Sequence, residues 1–142
     1  MRSGLDQTHA AALTSWVTSA QRPGTDFPLQ NLPFGVFRAA GGEPRIGVAI
    51  GEEILDLHRT VHVGGLGSLS PALRTAALAQ TLNPLFALGR AAVTTLRHAV
   101  HALLREDATL PRPPEECLLP MSGAELLVPA DIGDYTDFYA SI

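Results

Sequence analysis

The stretch Arg45–Gly51, "RIGVAIG", constrains the fold more than any other part of the chain. Ile46, Val48 and Ile50 alternate with Arg45, Gly47, Ala49 and Gly51, the period-two pattern of a strand with one buried face. "GVF" at 35–37 precedes it and "ILDL" at 54–57 follows, with "AAGGEP" and "GEE" as turn material between them. Three short apolar runs joined by tight turns predict a small antiparallel meander. Gly47 and Gly51 allow the sharp bending that a small barrel requires.

The flanking sequence has a different character. Residues 1–15 read as a loose tail, and "RPGTDFPLQNLPF" at 22–34 carries three prolines that exclude a regular helix. Past His58, Gly64, Gly65 and Gly67 form a loop, and Ser70-Pro71 has the cap-then-proline order of a helix start, predicting a helix over about 71–81. Asn83-Pro84 repeats that signal. From there to Arg105 a helix is expected, with Leu96, Ala99, Val100, Leu103 and Leu104 on one stripe. "PRPP" at 111–114 is a stiff linker, after which "CLLP" and "ELLVP" read as extended pieces. The class is therefore mainly β with helices, α+β.

Composition narrows the function. The 142 residues suit one domain with a real core. All 10 bases are arginine, so no lysine is present to act as base, Schiff-base former or phosphate ligand. The arginines are scattered singly against 14 acids, which argues against a nucleic-acid partner. Cys117 is the only cysteine, which excludes an intrachain disulfide, and Glu115 and Glu116 beside it are expected to raise its pKa. "AAALTSWVTSA" near the start has Asp6 ahead of it and polar interruptions, unlike a secretory leader. No apolar run approaches the ~18 residues of a membrane span, so the expectation is a cytoplasmic chain with no membrane partner.

Several groups invite a chemical reading. His58 and His62 have the four-residue spacing of a helical zinc pair, but the usual glutamate is missing and Val-Gly-Gly argues against a helix there. His98 and His101 suit the C-terminal half of a helix. Arg38 and Arg45 flank the predicted hairpin turn as a solvated edge. Trp16, Phe27, Phe34 and Phe37 read as packing residues. The closing "DIGDYTDFYASI" is different, because it interleaves Asp131, Asp134 and Asp137 with Tyr135, Phe138 and Tyr139. In an extended conformation Tyr135, Asp137 and Tyr139 share a side, a wall suited to a hard cation and an oxygen-rich ligand. The spacing nevertheless lacks the glycine and glutamate of a calcium loop.

"DFPLQNLPFGVF" (26–37), "RIGVAIGEEILDL" (45–57), "LFALGRAAV" (85–93) and "IGDYTDFYAS" (132–141) occur in the order, and at roughly the separations, seen in fumarylacetoacetases. On these blocks the chain resembles that family from about Ser15 onward. The resemblance implies a small SH3-like N-terminal barrel over 16–118 with an attached helical segment. Residues 119–142 would then be a linker and the truncated start of a β-rich catalytic domain that is otherwise missing. It implies hydrolysis of a carbon–carbon bond in the β-diketo acid fumarylacetoacetate, giving fumarate and acetoacetate in tyrosine and phenylalanine catabolism, by a homodimer. It also implies calcium or magnesium held by carboxylates, the first matching Asp137, and a substrate-contacting tyrosine matching Tyr139. The water-activating histidine is expected past Ile142, so the chain carries no catalytic residue and is expected to be inactive alone. Val93 stands where relatives commonly have tryptophan, and Leu127-Val128 where a histidine is frequent. With its packing partner missing, 121–142 is expected to stay mobile. The alternative is a stand-alone SH3-like interaction or docking module without catalysis.

Overall fold

The computed structural model describes residues 5–138. The expected meander is its frame: β1 (Phe34–Ala39), β2 (Arg45–Ile50) and β3 (Glu53–Asp56) pair antiparallel, with Gly35 opposite Gly47 and Val48 opposite Leu55. Only Gly51 and Glu52 join β2 to β3. Gly51 lies at φ 59°, a conformation that a two-residue hairpin demands and glycine supplies. A side chain there would also strike Ser19 and the Ala20 amide.

The extended pieces after the proline linker belong to the same sheet. β4 (Leu118–Pro120) pairs with β3 and β5 (Ala124–Leu127) pairs with β1, so the order is β4-β3-β2-β1-β5. The sheet therefore continues past residue 118 and reaches Leu127 before the chain leaves it. The β4 and β5 edges do not meet. The result is a half-barrel with helices, an α+β fold consistent with an SH3-like N-terminal domain.

One face of the sheet buries Val36, Ile46, Val48, Ile50 and Leu55 in a core shared with helical leucines. Each fully buried side chain of this size contributes about 1.5–3 kcal/mol. On the other face Phe37 and Ile54 close over Gly47, where any added side chain would strike both. Gly47 thus permits close approach of its neighbours, a different duty from the bending expected of it.

The helices are α1 (Leu57–His62), α2 (Pro71–Ala77), α3 (Asn83–Ala87) and α4 (Arg90–Leu104). α2 starts as its sequence predicts, with the Ser70 hydroxyl accepting from the Leu73 amide at 3.3 Å. The helix expected from Asn83 to Arg105 is broken in two, because Gly89 takes φ 81°. On α4 the predicted stripe is intact: Leu96, Val100, Leu103 and Leu104 are buried and Ala99 packs against them.

Residues 5–15, expected within a loose tail, form a strap across α4. Asp6 opens a 3-10 turn over Gln7–His9, and Arg97 reaches up to the buried Thr8, whose hydroxyl oxygen accepts at 3.0 Å. Ser15 Oγ donates to the Leu104 carbonyl at 2.7 Å, and Trp16 Nε1 to that of Leu103 at 3.0 Å. These bonds satisfy last-turn carbonyls for which the helix has no partner of its own. The proline linker lies over the same indole, with the Arg112 guanidinium 5.3 Å from the Trp16 ring centroid.

Candidate functional site

The acid- and aromatic-rich segment leaves the domain through a defined anchor. After β5, the Pro129 carbonyl accepts the Leu82 amide at 2.7 Å. Two residues on, the Asn83 carboxamide grips Asp131 twice: its Nδ2 donates to the Asp131 carbonyl at 3.0 Å, and its Oδ1 accepts the Asp131 amide at 2.8 Å. Asn83 sits at the start of α3, where cap-then-proline suggests a helix cap, yet no side chain caps α3. Its carboxamide is spent on the departing chain. Residues up to 131, expected to be mobile, are therefore tied to the domain by both the sheet and this grip.

Beyond the grip, 132–138 has no regular structure and is exposed throughout, with Tyr135 83% and Phe138 78% accessible. Asp134 Oδ1 accepts the amide of Tyr135 at 2.8 Å. Asp137 is exposed, and Tyr139 lies outside the described residues. Among the described residues no three histidine, cysteine, aspartate or glutamate side chains are placed to hold a metal ion together. The segment presents its carboxylates singly.

The other candidates fall into place within the domain. His58 and His62 do lie on a helix, contrary to expectation, because the Asp56 carboxylate caps α1 by accepting the Arg59 amide at 3.1 Å. Their rings stack with centroids 4.3 Å apart. His98 Nε2 lies 2.6 Å from Asp6 Oδ2. Asp6 is held well below the usual carboxylate range, chiefly by the Thr8 hydroxyl and next by His98. His101 is buried at 3% exposure with its Nε2 unpartnered, and burial, then Arg97 and Arg105, push its pKa down. Burial is also the first cause of the raised Cys117 thiol pKa, with Glu116 adding to it.

Arg38 and Arg45 each pair with a carboxylate on a neighbouring strand. β5 covers β1 on that side, and Arg38 meets Glu125, its opposite number in the register, at 2.7 Å. Arg45 pairs at 2.8 Å with Asp56, which is 1% exposed and also lies 3.5 Å from Arg59. Asp56 thus caps a helix and contacts two arginines at once. Aspartate following a strand run is a legible cap signal, but the arginine from a neighbouring strand is not.

Comparison with known proteins decides the family. The model of the family described as fumarylacetoacetase N-terminal matches residues 30–129, ending at the proline that takes the Leu82 amide. The chain belongs to that family. Within it, the chain is similar to the fumarylacetoacetase of Oryza sativa subsp. japonica, 42% identical over 132 residues that cover 84% of this chain and 30% of that protein. To those of Bos taurus and Homo sapiens it is 40% identical, covering 82% of this chain and 29% of each relative. The chain thus spans about three tenths of the length of these fumarylacetoacetases. No helix among the described residues is long and apolar enough to cross a membrane.

Proposed function

We propose that these residues are the N-terminal domain of a fumarylacetoacetase-type hydrolase, which adds water across a carbon–carbon bond of fumarylacetoacetate to release fumarate and acetoacetate. The observation that carries this reading is the family match over 30–129, with a segment that closely follows the family's pattern leaving directly from its end. The domain's task in this reading is delivery. Its sheet and the Asn83 grip fix where the segment departs, and Asp137 and Tyr139 follow within eight residues of Asp131.

Asp137 then contributes one carboxylate to a calcium or magnesium site, and the Tyr139 phenol contacts the substrate. The described residues do not fit a hard divalent ion unaided. Such an ion takes about six to eight oxygen ligands, whereas Asp137 stands alone and exposed. The attacking water needs a base, and none of the five histidines lies within 129–138. The remaining ligands and the base are assigned to a catalytic domain outside these 142 residues, in a cytoplasmic homodimer.

The test is fumarate release from fumarylacetoacetate. The chain alone is expected to give none above buffer. Fused to the catalytic part of the rice relative, it is expected to support turnover that Asp137→Ala abolishes. Turnover by the chain alone, or a folded, inactive fusion, would contradict the reading; the latter would favour a docking module.

A further inference from the structure

We propose that His58 and His62 form a two-ligand site for a transition-metal ion, Cu2+ most strongly and Ni2+ or Zn2+ more weakly, on the outer side of α1. Capping by Asp56 makes the segment helical, which brings residues four apart onto one face. The rings lie nearly parallel, with 26° between their planes and 4.3 Å between centroids. His62 Nδ1 lies 2.7 Å from the His58 carbonyl oxygen. A carbonyl can only accept, so Nδ1 is the donor of this contact and Nε2 is the ring nitrogen left to ligate a metal.

The state of His58 fits the same role. It is half-buried on the same face as the exposed His62, so the pair has one ring anchored against the domain and one open to solvent. The charged groups around it are Arg45, Arg59 and Asp56, with the Asp56 carboxylate 2.8 Å from Arg45 and 3.5 Å from Arg59. Metal–nitrogen bonds of about 2.0–2.1 Å place two ligating nitrogens roughly 3 Å apart.

Imidazole nitrogen suits copper, nickel and zinc, and copper(II) heads the divalent affinity order. Calcium and magnesium take oxygen donors and gain nothing from such a pair. The site is therefore chemically separate from any that Asp137 joins. With no third protein ligand among the described residues, water completes the coordination.

The experiment is Cu2+ titration of the chain near neutral pH, followed by proton–nitrogen correlation spectra. Paramagnetic broadening is expected first at residues 56–63, and the same concentration of Ca2+ is expected to leave these signals unchanged. His62→Ala should weaken Cu2+ uptake by about tenfold or more. His62 is exposed, so this variant should keep its fold, which circular dichroism checks. Broadening that starts at His9 and His98, or unchanged affinity in His62→Ala, would overturn the proposal.

Discussion

Asn83 holds Asp131 by both polar groups of its backbone, donating to the carbonyl at 3.0 Å and accepting from the amide at 2.8 Å. A carboxamide presents a donor and an acceptor side by side, as a neighbouring strand would. The chain is thereby paired for one more residue after β5 ends.

Replacing Asn83 by alanine removes this grip without touching the core. Each neutral hydrogen bond contributes about 0.5–1.5 kcal/mol. Hydrogen exchange at the Asp131 amide is expected to accelerate about tenfold, with only a small change in the urea midpoint. An unchanged exchange rate at Asp131 would mean that Leu82 and the sheet suffice to hold the segment.

Asp56→Ala should be far costlier, since it uncaps α1 and leaves Arg45 and Arg59 without their shared carboxylate. Loss of a buried charge partner together with a cap predicts roughly 3 kcal/mol of destabilisation, read from urea unfolding. Asp56→Asn should recover part of this, because an amide oxygen still caps.

Gly51→Ala combines two penalties. The residue must hold φ 59°, and its new methyl must displace Ser19 and the Ala20 amide. A left-handed non-glycine residue costs about 1–2 kcal/mol and overpacking about 1–3 kcal/mol, so thermal unfolding should fall by several degrees. Gly35→Ala is the control, since its methyl would meet nothing within 4 Å.

His101 makes stability depend on pH. In the unfolded chain it titrates near its ordinary 6.5, whereas in the fold burial and the flanking arginines hold it neutral to lower pH. The unfolded state therefore binds the proton first. The stability this group provides is present above 6.5 and is lost as pH falls through the lowered folded value. His58 is shifted the same way and adds to the slope. In His101→Leu, the decline in unfolding free energy between neutral and mildly acid pH should be shallower, and an unchanged slope would contradict this.

The meander, the capped α2 and the α4 stripe were legible because local periodicity and cap chemistry dictate them. Ile46, Val48 and Ile50 need only their own alternation to declare a strand. What stayed hidden depends on partners distant in sequence. Leu118–Pro120 and Ala124–Leu127 read as extended pieces, but their places beside β3 and β1 are set by edges distant in sequence. Residues 5–15 read as a tail because Arg97 and His98, which hold them, lie some ninety residues away. Asn83 carried a helix-cap signal, but its carboxamide went to Asp131, a competition that no local rule weighs. At the candidate site, the family pattern marked Asp137, while the Asn83 anchor on Asp131 emerged only from the fold.

Calcium calorimetry on the 142-residue chain tests the central claim most directly. If Asp137 is one ligand of a site completed elsewhere, the chain should take up calcium without stoichiometric heat. Tight one-to-one binding that persists in Asp137→Ala would contradict the account.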